Sequence, residues 1–133
     1  MWSDNGTITF STPEPYANAL RSVREALQGR GLRVVSELDV AGRIERSLGI
    51  RLPPCRILYV WPHPPLAEDL SPIAAIILPF HVVVADRGEQ AEISVLTCIQ
   101  TAGLNGCLRT KLLETQTEIL QSLETVSMRP SLV

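Results

Sequence analysis

Phe80-His81-Val82-Val83-Val84-Ala85, followed by Asp86-Arg87-Gly88-Glu89 and then by Glu92 to Cys98, is the stretch whose reading decides the fold. A run rich in β-branched and aromatic residues predicts a strand, and the Asp-Arg-Gly-Glu cluster after it is a turn signal. Glu92 to Cys98 then returns as the partner of a hairpin, so the sheet contains at least one antiparallel pair. Upstream, Arg56-Ile57-Leu58-Tyr59-Val60-Trp61 predicts a buried strand, which Pro62-His63-Pro64-Pro65 must break. Leu66 and Leu70 then suggest one or two helical turns ending at Pro72.

The first half of the chain repeats the same grammar. Thr7 to Phe10 alternates polar and apolar side chains, as a half-buried strand does. Ser11-Thr12-Pro13-Glu14 predicts a helix start, with a hydroxyl cap and proline in the first turn. Tyr16, Leu20, Val23 and Leu27 follow as a stripe on one helix face, bracketed at the end by Gly29 and Gly31. Leu32 to Val40 reads as a strand centred on Val35. Asp39 caps a short helix containing Ile44 and Leu48, which Gly49 stops. At the far end, Asn105 caps a long helix from about Gly106 to about Val126, with the stripe Leu108, Leu112, Ile119, Leu123 and Val126. The sum is one α+β domain of order β-α-β-β-β-β-α with short helical insertions. Two amphipathic helices cover one face of a mainly antiparallel sheet.

At 133 residues the chain holds one domain, and its 45% apolar and 20% charged composition is that of an ordinary globule. A formal net charge of -2 disfavours a general nucleic-acid or acidic-membrane binder. With only two each of Trp, Tyr and Phe, no base-stacking platform stands out. The longest aliphatic run, Ile73 to Leu78, is far too short to span a bilayer. Residues 1–5 carry no basic segment followed by an apolar stretch, and the three widely spaced cysteines form no zinc pattern or CxxC. The expected compartment is therefore the cytoplasm. Charge is uneven: Arg21 to Arg56 holds eight arginines against four acids, and Ile57 onward holds four bases against eight acids. Such patches can steer a partner, including the other half of a dimer, or be plain solvated faces.

Leu38-Asp39-Val40, then His63-Pro64-Pro65-Leu66-Ala67, then Leu78-Pro79-Phe80-His81-Val82-Val83-Val84 resemble, in this order, a bacterial family catalogued as domain of unknown function 302. The likeness runs from roughly Phe10 to Val95 and more loosely into the final helix, a family-like core of about 10–126. It implies a strand-helix-four-strand-helix fold similar in topology to the TATA-box-binding-protein-like class. It also implies a homodimer, and it implies no established activity. The family usually has Asn-Pro where this chain has His63-Pro64, and often Leu-Pro-Cys where it has Leu78-Pro79-Phe80. A later Asp-Pro pair is missing near Cys98-Ile99-Gln100. Phe80 thus removes any thiol chemistry that relatives would run at that position.

Several residues carry candidate chemistry, each beside a plainer alternative. His63 sits in a proline-rich bend, where an imidazole can ligate metal, shuttle a proton or simply bond the backbone. His81 alternates with Phe80 and Val82, so it faces away from them toward solvent or a partner. A thiol at a helix start is acidified by the dipole, which makes Cys107 the best reactive cysteine. Cys98 is its nearest possible redox partner, although free cysteines are also ordinary small hydrophobes. Thr101-Ala102-Gly103-Leu104-Asn105-Gly106 is either a helix-capping loop or an anion site, with Arg109 and Lys111 nearby. It lacks the Lys-Ser/Thr of a P-loop. No Ser-His-Asp arrangement, nucleophile elbow or carboxylate pair is recognisable.

The expectation is a homodimeric module without catalysis that binds a small ligand or partner, through His63, His81, Cys98, Gly103, Asn105, Gly106 or Cys107. No metal site, nucleic acid or membrane is expected, and the cofactor and ligand are unknown. The competing expectation is a metal- or thiol-redox-linked protein or enzyme using Cys107, Cys98 and His63.

Overall fold

The hairpin forms as read. Strands Phe80–Asp86 (β4) and Ala91–Leu96 (β5) pair antiparallel, with Val82 opposite Val95 and Val84 opposite Ile93. Gly88 makes the turn at φ +86°, a backbone angle other residues rarely tolerate, and its N–H donates to the Asp86 carboxylate at 2.9 Å. The computed structural model describes residues 7–61, 80–96 and 106–127, without the side chains of residues 106–108. The expected turns at Leu66 and Leu70 lie outside them.

Around the hairpin stand Thr7–Thr12 (β1), Tyr16–Gly29 (α1), Arg33–Asp39 (β2), Val40–Leu48 (α2), Cys55–Trp61 (β3) and, at the far end, Gly106–Ser127 (α3). The sheet runs β1-β5-β4-β3-β2, and every neighbouring pair is antiparallel. The architecture is the expected α+β one. The first and second strands of the chain stand at opposite edges, joined by α1 crossing the sheet.

One core holds the two layers together. Leu20, Val23 and Leu27 of α1 and Leu112, Ile119, Leu123 and Val126 of α3 pack with Leu58, Val60, Phe80, Val82, Val84, Ile93 and Val95 of the strands. By the pairing register those strand residues share one face, so α1 and α3 cover the same side. Phe80 is 2% exposed, so the position where the resemblance expects a thiol in relatives is here a core anchor. The α3 stripe also contains Thr115 and Ser122, both buried; their hydroxyls donate back to the carbonyls of Lys111 and Glu118 at 2.9 and 2.8 Å. Satisfied within their own helix, they sit in the core without a lost hydrogen bond.

Local details depart from expectation at two places. The start of α1 is not capped by a hydroxyl: β1 continues through Thr12, which pairs with Ala91 and is fully buried. The cap position falls on Pro15, with no side-chain cap. Thr12 instead accepts from the Glu14 N–H at 3.3 Å, which turns the chain out of the sheet. Second, the strand expected to centre on Val35 is irregular there. The register shifts between Val34 and Ser36, leaving Val35 at a bulge, half exposed. The α2 boundaries hold: Asp39 accepts from the Gly42 N–H at 3.0 Å, and Gly49 ends the helix at φ +70°.

Candidate functional site

The bulge in β2 changes which side chains meet the helices. Strict alternation from Val34 would send Ser36 and Leu38 to the helix side. With one extra residue, Glu37 pairs with Leu58 and Asp39 with Arg56, and both turn toward α1. Arg24 of α1 meets Glu37 with Nε and Nη2 donating at 2.7 and 2.6 Å, a two-pronged pair. Arg56 Nη1 donates to the same carboxylate at 3.4 Å. The Arg24 hydrogen bonds hold the Glu37 carboxyl below its ordinary pKa, against the opposing effect of burial. Burial raises the Tyr16 hydroxyl, and a hydrogen bond with Arg56 pulls it back down. Three elements are clamped together here, with two arginines sharing one carboxylate.

Among the described residues, the other face of the sheet carries no such clamp. Its central row, read across the register, is Thr9, Ser94, Val83, Ile57 and Leu38. All five are half-buried, and Thr9 and Ser94 hydroxyls lie 3.2 Å apart in a hydrogen bond. Beside this row stands a pair of rings: Tyr59 and His81, opposite each other on β3 and β4, meet edge to face with centroids 5.0 Å apart. On the opposite side of the row, Ser11, Glu92, Ala85 and Cys55 line up. Cys55 is a free, half-buried thiol whose pKa burial raises, which keeps it protonated and a poor nucleophile. The result is an apolar strip flanked by an aromatic pair and a polar edge.

His81 points away from Phe80 and Val82, as alternation requires, and is exposed beside Tyr59. Gly106 and Cys107 are the first two residues of α3, so the cysteine stands in the first turn of that helix. His63, Cys98, Gly103 and Asn105 lie outside the described residues. Of the proposed thiol and imidazole groups, the described side chains include His81, and among the described residues no group of three or more His, Cys, Asp or Glu is placed to hold a metal. Tyr59 and the Arg24–Glu37–Arg56 clamp were not singled out from sequence. Tyr59 was legible through its alternation with buried Leu58 and Val60; the clamp was not, because it depends on the bulge.

The two halves of opposite charge also meet within the chain. Arg30, at the end of α1, donates to Glu118 and Gln121 of α3 at 3.2 and 2.9 Å. Part of the sequence asymmetry is thus neutralised internally.

A five-stranded antiparallel sheet with α1 and α3 on one face places the chain among two-layer α+β domains. Residues 8–126 match the family described as domain of unknown function DUF302, and the chain belongs to that family. Its fold is similar to the crystal structure of an uncharacterized conserved DUF302 protein from Bacillus stearothermophilus, with a TM-score of 0.74 at 18% sequence identity. The alignment covers 90% of this chain and 96% of that one. A comparison with curated proteins returned no match. Among the described residues, no helix is long and apolar enough to cross a membrane.

Proposed function

We propose that this chain is a homodimeric, cytoplasmic binding module without catalysis, which takes a small ligand or partner on the face of its sheet turned away from α1 and α3. The observation that carries the reading is the Tyr59–His81 ring pair beside the strip Val83, Ile57 and Leu38. Binding sites combine apolar and aromatic lining with a few fixed polar groups, and this face offers both, with the Thr9–Ser94 pair at the end of the strip.

The test is a two-dimensional NMR titration with small aromatic fragments. Shifts should map to Ile57, Tyr59, His81 and Val83 and weaken at least about tenfold in Tyr59→Ala, a loss equivalent to one edge-to-face contact. Shifts that map to the helix side, or that persist unchanged in Tyr59→Ala, contradict the reading.

A further inference from the structure

We propose that the outer edge of β1, together with the flank of α3 above it, forms a two-fold seam with a second copy of this chain. The inference deepens the homodimer reading by naming its surface.

The strand supplies the first argument. β1 reads Thr-Ile-Thr-Phe-Ser-Thr, uncharged throughout, and pairs with β5 over six consecutive positions without a shift of register. It is an edge strand of the sheet. Native edges are usually blunted by charge, proline or a bulge, and this strand has none of the three between Thr7 and Thr12. Across a two-fold axis a strand meets itself in reverse, so a charged residue near the axis would oppose its own copy. An uncharged β-branched strand meets itself without that cost.

The helix supplies the second. Because α1 packs against β2 and β4 while α3 packs against β1, the side of α3 turned away from α1 overhangs the β1 edge. Glu118 and Gln121 mark the α1 side through Arg30, and Leu112, Ile119, Leu123 and Val126 mark the side facing the sheet. At steps of three and four, Arg109, Leu113, Gln116, Leu120 and Glu124 fall on the remaining flank. Leu113 is 37% exposed, and Leu120 is half-buried against the core.

The same two-fold that reverses β1 lays α3 antiparallel to its copy. With the axis between Gln116 and Thr117, Leu113 meets the second copy's Leu120, and Arg109 meets the second copy's Glu124. The flank is self-complementary in both charge and apolarity around one centre. A strand edge alone would fall short of the roughly 800 Å² per partner that stable interfaces bury, and the overhanging helix, about 33 Å long, extends the contact through both layers.

Sedimentation equilibrium of the full chain tests this with Leu113→Glu, Arg109→Glu and the charge swap Arg109→Glu/Glu124→Arg. The wild type should be a dimer at micromolar concentration. The two single variants should raise its Kd at least about tenfold, and the swap should return it toward wild type. Recorded below the dimer Kd, the melting curve of Leu113→Glu should stay close to that of wild type, because the substituted side chain is partly exposed. A dimeric wild type whose Kd moves with neither single variant overturns the seam and leaves the homodimer standing. A swap that dimerises no better than Arg109→Glu overturns the pairing of Arg109 with Glu124. A wild type that stays monomeric at about 100 μM overturns both readings.

Discussion

The two edges of the sheet are built differently. β2 carries a bulge at Val35, holds Glu37 in a clamp with Arg24 and Arg56, and runs directly into α2, capped by its own last residue, Asp39. β1 is regular and uncharged, and its neighbours are β5 beside it and α3 on the helix side. One edge is closed by irregularity and local bonding. The other keeps an unbroken pairing register from Thr7 to Thr12. A sheet has two edges, and a dimer of limited size needs one of them closed, since two open edges would propagate a filament.

The comparison breaks hardest if α3 is loosened from the β1 side. Leu123→Ala removes a fully buried side chain from the helix–sheet core and is expected to cost about 2–5 kcal/mol in urea unfolding. It should weaken assembly as well, because the overhanging flank depends on how α3 seats.

On the β2 side the sharper test is Glu37→Gln. Losing the carboxylate leaves Arg24 and Arg56 without their shared anion, and a part-exposed cluster of this kind contributes about 1–2 kcal/mol. The sign with pH follows from the lowered carboxyl pKa. Folding stabilisation is complete above the ordinary glutamate value of about 4.3 and is lost as pH falls through the lower folded-state value. Wild-type stability should therefore decline on acidification in that window, and Glu37→Gln should flatten that decline. The dimer Kd should hardly move, because the clamp is remote from β1.

Asp39→Ala removes the cap of α2 and is expected to cost about 1 kcal/mol, read as a lower melting temperature. Val35→Glu is the smallest perturbation. At a bulged position 50% exposed it should change stability by less than about 0.5 kcal/mol and leave the dimer Kd as it was. An effect on assembly from Val35→Glu larger than that from Leu113→Glu would reverse the assignment of the two edges.

How far the sequence foretold this depends on whether a feature is local. The stripe Tyr16, Leu20, Val23 and Leu27, the described part of the second stripe (Leu112, Ile119, Leu123 and Val126, with the Leu108 side chain outside the described residues), and the Asp39 and Gly49 boundaries are periodic or capping signals, and each formed as read. The start of α1 was misread because Ser11-Thr12-Pro13-Glu14 fits a cap motif, while pairing with Ala91 drew Thr12 into the sheet. Tertiary pairing overrode a local preference. The bulge was invisible for a related reason: Val34-Val35 looks like continuous strand, and only the pairing with Val60 and Tyr59 shows that one residue is extra. That single residue decides whether Glu37 or Leu38 faces the helices. The candidate site was legible at His81, whose outward orientation follows from alternation with Phe80 and Val82. The same alternation marks Tyr59, but its meeting with His81 depends on the register of β3 on β4, which no local pattern encodes.

Hydrogen–deuterium exchange at two protein concentrations, one well below and one well above the dimer Kd, tests the difference between the edges most directly. Backbone amides of Thr7 to Thr12 should gain protection on dimerisation, while those of Arg33 to Asp39 exchange at the same rate in both samples. Protection that instead appears in β2, with β1 unchanged, would contradict the account.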